Sequence, residues 1–335
     1  MHVYPAIKNY EPVKSIKRNG ILLILSAKNV MKLILVSAAK RYAKFARLFI
    51  FTKYLLTVSP LMKKLFTLIT LFILAQNVTA QKKVLRQIAD SINAEGEMLY
   101  RSEWASGHST QIFASSFGRK KLLSGGYFSY ETKKEMTTIF FSKNEGPVVL
   151  ATVKFDHGLD SSKYSIDTTT RKFTENEKEF YTIRSKAAQA VLNDTLFKFY
   201  EHTSLNLVPI IKNGTKKVYV ITAQTAPDEI LLGNDYLINF DKDNGIIRKT
   251  KLHNNLIPLG TGGKEAIKAS SHQHLGETSP FITATDICAF KLWKAKTTWV
   301  ISFVVSVGYV SAWHFRDEFL EILTQDEWQK IMKNK

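Results

Sequence analysis

Leu205-Asn-Leu-Val-Pro-Ile-Ile-Lys-Asn-Gly-Thr-Lys-Lys-Val-Tyr-Val-Ile-Thr222 is the stretch whose reading decides the fold. Two β-rich runs, Leu205 to Ile211 and Lys217 to Thr222, flank Asn213-Gly214. Asn-Gly suits a tight turn that needs positive φ at both central positions, so the two runs predict an antiparallel hairpin. Downstream, Tyr236 to Phe240 and Ile246 to Leu252 flank Asp241-Lys-Asp-Asn-Gly245 and predict a second hairpin. Upstream, Thr137 to Phe141 and Val148 to Phe155 flank Ser142-Lys-Asn-Glu-Gly-Pro147 and predict another. The centre of the chain therefore reads as an antiparallel meander.

Helical spacing brackets this meander. Val84, Ile88, Ile92 and Leu99 predict a first amphipathic helix over Val84 to Arg101. Ala188, Val191, Leu192, Leu196 and Phe199 predict a second, with one face in the core. A third begins at Thr283, and a polar helix is expected from about Asp317. Between them, Thr298 to Val305 and Tyr309 to Trp313 are β-branched and aromatic, which favours strands. The uncharged run from Thr297 to Trp313 is shorter than a membrane span and contains Gly308. The expected fold class is α+β, an antiparallel sheet of hairpins with three to four helices.

Charge divides the chain. Its net charge is +18, but residues 1–61 hold eleven Lys or Arg against one acid, Glu11, and Lys63 and Lys64 add two more, which leaves +6 from Gln81 onward. A mildly cationic domain lacks the basic stripe that nucleic-acid binding requires, so no nucleic-acid partner is expected. Thr174-Glu-Asn-Glu-Lys-Glu-Phe180 and Arg316-Asp-Glu-Phe319 mix both signs and read as solvated faces. Cys288 is the sole cysteine, so no internal disulfide forms, and between Ile287 and Ala289 it reads as a small buried hydrophobe.

Met62-Lys-Lys64, the apolar run Leu65 to Leu74 and the small residues of Val78-Thr-Ala80 have the make-up of a signal peptide. This predicts residues 62–80 as a leader and Gln81 as the mature N-terminus, with residues 1–61 an over-extended reading frame. The run is too short to span a bilayer and no Cys follows it to take a lipid, so the expected product is exported to the periplasm or beyond, without a stable membrane anchor. The mature chain divides into an N-terminal α+β part, residues 81–204, and a β-rich part, residues 205–335.

The residues that can carry chemistry lie in that second part. His272-Gln-His274 on an extended segment puts both imidazoles on one side, because side chains alternate along a strand. Thr283-Ala-Thr-Asp286 places Asp286 in the first turn of the following helix. Two imidazoles and a carboxylate can hold zinc and leave a position for water, whose pKa the metal lowers. The same Thr-x-x-Asp pattern also caps a helix, the Thr side chain accepting an N-terminal N–H while the acid suits the helix dipole.

This arrangement resembles the core motif of the JAB/JAMM-type zinc isopeptidases, His-x-His followed by Ser-x-x-Asp at a helix start. The resemblance spans Pro227 to Trp313 and includes the later order of helix, strand and strand. It implies zinc on His272, His274 and Asp286, with Thr283 in place of the oxyanion-assisting Ser. It further implies hydrolysis of an amide or isopeptide bond in a peptide or protein substrate. Glu229, in Pro227-Asp-Glu-Ile230, falls where the family has its general base, and Glu277 is a spare carboxylate. Eleven residues separate His274 from Asp286, and Leu275 stands where the family has Pro. The alternative is a non-catalytic exported envelope or secreted binding protein in which the cluster caps a helix.

Other patterns read as structure. Asp241-x-Asp243-x-Gly245 lacks the glycine position and later Glu of a calcium loop and is turn chemistry, and Gly260-Thr-Gly-Gly-Lys264 lacks the spacing of a phosphate-binding loop and is a flexible connection. No Gly-x-Ser-x-Gly elbow occurs. Trp104, Tyr127, Phe128 and Tyr130 are expected in the core rather than on a sugar-binding surface. His108, His157, His253 and His314 have no partner at ligand spacing.

Overall fold

A computed structural model describes residues 16–18, 21–23, 60–224, 230–259, 268–275 and 278–334. The chain forms two compact units, Met1–Thr79 and Ala80–Lys335. In the first, strands β1 (Ile16–Arg18) and β2 (Ile21–Leu23) pair antiparallel. Helix α1 (Pro60–Phe117) starts there, contains the expected leader and continues into the second unit. Among the described residues no helix is long and apolar enough to cross a membrane. The connection Gly260 to Lys264 lies outside the described residues.

The second unit is α+β. Strands β3 (Ser124–Glu131), β4 (Glu135–Ser142), β5 (Val149–Asp156) and β6 (Tyr164–Asp167) form an antiparallel meander in chain order. Helix α2 (Glu175–Asn193) follows. Then come β7 (Thr203–Lys212), β8 (Thr215–Gln224), β9 (Ile230–Gly233), β10 (Tyr236–Phe240), β11 (Ile246–Lys251) and β12 (Leu256–Leu259). A second antiparallel sheet has the order β11-β10-β8-β7, and β9 pairs with β12. The last sheet joins β13 (Ala269–Gln273), β14 (Ile301–Val305), β15 (Tyr309–His314) and β16 (Phe319–Thr324), with helix α3 (Ala284–Trp293) between β13 and β14. Because α3 carries the chain back across the sheet, β13 and β14 pair parallel, while the other pairs of this sheet are antiparallel. Helix α4 (Gln325–Lys333) closes the chain.

The turns follow their residues. Asn213 and Gly214 have φ of 49° and 75°, the paired positive values of a type I′ turn. In the β10–β11 turn one carboxylate oxygen of Asp241 accepts the backbone N–H groups of Asp243 and Gly245 at 2.9 and 2.7 Å, which is turn chemistry without an ion.

Helix α1 is the spine of the unit. Leu85 and Ala89 join one core with Ile287, Phe290, Trp299 and Trp313. Leu99 joins a second with Tyr219, Ile221 and Cys288, and Ala105 and Phe113 a third with Met136, Phe140 and Phe155. Polar links repeat the order: Asn93 accepts the Trp313 indole N–H at 3.2 Å, Glu95 accepts from Lys217 and Tyr219, and Ser106 bonds Ser129 at 2.7 Å. The central strand β8 is covered on both faces: Val218 and Val220, with Ile238 of β10, pack with α2, while Tyr219 and Ile221 pack with α1 and α3.

Three departures from the sequence expectations have local causes. Helix α1 runs past Arg101 because Ser102, Ala105, Ser106 and Ser109, small and buried, let it lie close to β3 and β4. Helix α2 stops at Asn193, so Leu196 and Phe199 lie beyond it. The polar helix begins at Gln325, not near Asp317, because Leu320 and Ile322 alternate inward with exposed Phe319 and Glu321 as a strand.

The charged run before Phe180 is solvated at Glu175, Asn176 and Lys178, but Glu177 departs from that expectation. Thr174 caps α2, and Glu177 in its first turn is 2 % exposed. Both Glu177 oxygens are gripped by the Arg171 fork at 2.7 and 2.8 Å. Burial opposes ionisation of Glu177, but Arg171 and the Thr174 backbone N–H outweigh it and hold its carboxyl below the usual range. That contribution is complete above the unfolded-state pKa and is lost as pH falls through the lower folded value. Glu177→Gln is expected to lower stability at neutral pH by about 3 kcal/mol in urea titrations. The gap to the parent should close on acidification, and a gap independent of pH would refute the assignment.

Candidate metal centre

Asp286 is fixed first by its own helix. Thr283 is the extended N-cap of α3, and its hydroxyl accepts the Asp286 backbone N–H at 3.2 Å while the Thr283 N–H donates to Asp286 Oδ2 at 2.8 Å. The Thr283 hydroxyl also donates to Oδ2 at 2.7 Å. This reciprocal box engages one carboxylate oxygen and leaves Oδ1, buried, with no hydrogen-bond donor of good geometry. The start of α3 is pressed against α1 at Gly96, where a Cβ would meet Ile287 Cγ2 at 2.6 Å and the Ala284 carbonyl at 3.1 Å.

Strand β13 delivers two imidazoles. Its alternation buries His272 and exposes Gln273, and the ladder continues one residue on, where the His274 N–H donates to the Val305 carbonyl at 2.9 Å and His274 turns inward. The two Nε2 atoms lie 3.3 Å apart. His274 Nδ1 sits 2.9 Å from the Phe281 carbonyl and 3.1 Å from that of Ser279. Those carbonyls can only accept, so the ring carries its proton on Nδ1 and offers the Nε2 lone pair.

A third imidazole completes the group, and it corrects the expectation that His253 lacks a partner. His253 lies just past β11, with Nε2 3.2 Å from Asp286 Oδ1 and Nδ1 3.4 Å from Asp235 Oδ2. His272 Nε2 is 3.5 Å from the same Oδ1, and His274 Nε2 is 3.7 Å from Oδ2. No spacing rule could show this, since eighteen residues separate His253 from His272. Its one sequence signal is its position between Leu252 and Leu256 at the end of a predicted strand.

One ligand atom from each of His253, His272, His274 and Asp286 lies within 4.8 Å of the others, all four residues are buried, and the group can hold a metal ion. Tetrahedral bonds of about 2.0–2.1 Å set neighbouring donors about 3.3–3.4 Å apart. Three of the separations, 3.2, 3.3 and 3.5 Å, bracket that value. Asp286 is 1 % exposed; burial alone would neutralise it, yet His253 and His272 hold its carboxyl well below the usual range. Burial likewise opposes protonation of His253, but Asp286 and Asp235 outweigh it and raise its pKa to about 10. Burial lowers that of His274, leaving a neutral ring suited to ligation. A cation beside Asp286, whether the His253 proton or a metal, is what keeps that buried carboxylate charged.

The sequence-derived candidates divide accordingly. His272, His274 and Asp286 converge. The Thr283 hydroxyl is engaged by Asp286 and by Thr285 at 3.0 Å. Glu229 and Glu277 lie outside the described residues. His108 stacks on Trp104, His157 pairs with Glu131 and Arg101, and His314 packs on Phe319. Phe128 is buried in the core, and burial pushes the Cys288 thiol well up. No protein-family model, no curated protein and no solved structure matches the chain.

The cap gives a test of local construction. Thr283→Ala removes the acceptor for the Asp286 N–H and is expected to cost about 1–2 kcal/mol in urea titrations, while Thr283→Ser stays close to the parent. Equal stability of parent and Ala variant would show that the box does not hold α3.

Proposed function

We propose that this chain is an exported zinc-binding protein whose ion is held by His253, His272, His274 and Asp286. One observation carries the reading: one donor atom from each of three buried imidazoles and a buried carboxylate lie within 4.8 Å of one another, and three of their separations, 3.2, 3.3 and 3.5 Å, suit a tetrahedral shell. Three borderline nitrogens and one oxygen suit zinc among the common divalent ions. With four protein donors the shell is filled, as in structural sites, and binding would tie the end of β11, the end of β13 and the start of α3 into one unit.

A second reading is favoured by the meeting of the His-x-His and Thr-x-x-Asp residues, the feature shared with the JAB/JAMM-type motif. On this reading zinc rests on His272, His274 and Asp286 and activates water in the fourth position, His253 stands off the ion, and a carboxylate such as Glu229 or Glu277 takes the proton during cleavage of an amide or isopeptide bond.

Metal analysis of the tag-free full chain after dialysis against zinc is expected to give about one zinc per chain, lost in the His272→Ala, His274→Ala double variant. A parent that retains no zinc would sink both readings. The filled shell further predicts that His253→Ala weakens binding and that the cobalt-substituted parent keeps its visible spectrum on adding a hydroxamate. A hydroxamate-induced change, with His253→Ala binding as the parent does, would instead support the hydrolase.

A further inference from the structure

We propose that Asp235 is the positioning residue of this centre: its carboxylate takes the Nδ1–H of His253 and so turns the Nε2 lone pair of that ring onto the ion. The inference rests on the metal-binding reading above and extends it to a residue outside the ligand group. Asp235 is 4 % exposed and stands between β9 and β10, far in sequence from the His-x-His segment. Its Oδ1 accepts the Thr222 backbone N–H at 2.9 Å, and its Oδ2 lies 3.4 Å from His253 Nδ1, an ion-pair approach without a closed hydrogen bond. Its carbonyl accepts the N–H of Leu252 at 2.8 Å, so the backbone next to His253 is fastened to the residue that faces the ring.

The turn before Asp235 is built for this placement. Gly233 has φ of 84°, and a Cβ there would lie 2.2 Å from the Asn255 carbonyl oxygen. Asn234 follows with φ of 56°, also left-handed, and its own N–H donates to that carbonyl at 3.1 Å. Its buried side chain donates to the Lys198 carbonyl at 3.0 Å and to the Thr222 hydroxyl at 3.1 Å, and accepts from the Tyr236 hydroxyl at 2.7 Å. Gly233 takes its positive φ freely, whereas Asn234 is held left-handed by these hydrogen bonds, and together they set Asp235 against His253.

The three rings are supported unequally. His274 has backbone carbonyls at Nδ1, the Nδ1 atoms of His272 and His253 have no closed hydrogen bond, and that of His253 lies 3.4 Å from a second carboxylate, Asp235. A carboxylate behind a ligating imidazole fixes its tautomer and raises its basicity. Removing that charge is expected to weaken the metal selectively.

The test is a zinc competition titration with a chromophoric chelator on the full chain, comparing parent, Asp235→Asn, His253→Ala and the double variant. Asn keeps an acceptor for the Thr222 N–H, so the turn is retained. Asp235→Asn is expected to weaken zinc binding by about 10–100-fold. On the His253→Ala background the same change should have no further effect, which a purely structural role would not produce. Equal zinc affinity of parent and Asp235→Asn would overturn the assignment while leaving the metal centre standing. A parent that does not bind zinc would overturn the metal-binding reading and this inference with it. Long-range proton–nitrogen NMR of the zinc-loaded parent tests the point without a variant: His253 should be protonated at Nδ1 and metallated at Nε2, and metallation at Nδ1 would refute the proposal.

Discussion

A carboxylate withdrawn almost wholly from water costs several kcal/mol unless charge and hydrogen bonds compensate it, and Asp286 imposes that constraint on the whole centre. Its two oxygens are treated differently. Oδ2 is taken by the helix cap, which needs an acid at the third position of α3. Oδ1 lies 3.2 and 3.5 Å from the Nε2 atoms of His253 and His272, and His253 Nε2 also reaches Oδ2 at 3.3 Å. The segments that carry these rings are therefore fixed relative to α3 by electrostatics as well as by packing. One residue thus couples a local helix signal to long-range assembly.

The fold supplies what that coupling requires. Helix α1 binds three cores in series, and the close approach at Gly96 sets the start of α3. The parallel pairing of β13 with β14 fixes the face that His272 presents, because a shift of one residue would turn it outward. The β9–β10 turn holds Asp235 behind the third ring. The donors thus come from separate segments of the unit, the end of β11, the end of β13 and the start of α3.

What could be read from the sequence follows the range of the signal. Asn213-Gly214 announces its turn because the conformation needs those residues, and the alternation of His272 and His274 and the cap at Thr283 are equally local. Helix α1 beyond Arg101 is not legible, because Ser102, Ser106 and Ser109 look polar although close packing buries them. Glu177 looks solvated because its partner, Arg171, precedes the helix by a few residues and its burial comes from β-strands far upstream. His253 is the clearest case: its place depends on the β9–β10 turn and on α3, and nothing near it in sequence reports either.

The most direct measurement of the central claim is zinc-edge X-ray absorption of the metal-loaded full chain. The account predicts four nitrogen or oxygen donors at about 2.0 Å with outer-shell scattering from three imidazoles. A shell of six oxygens without imidazole scattering would mean that zinc sits elsewhere and that the buried cluster is a helix cap and its histidine neighbours.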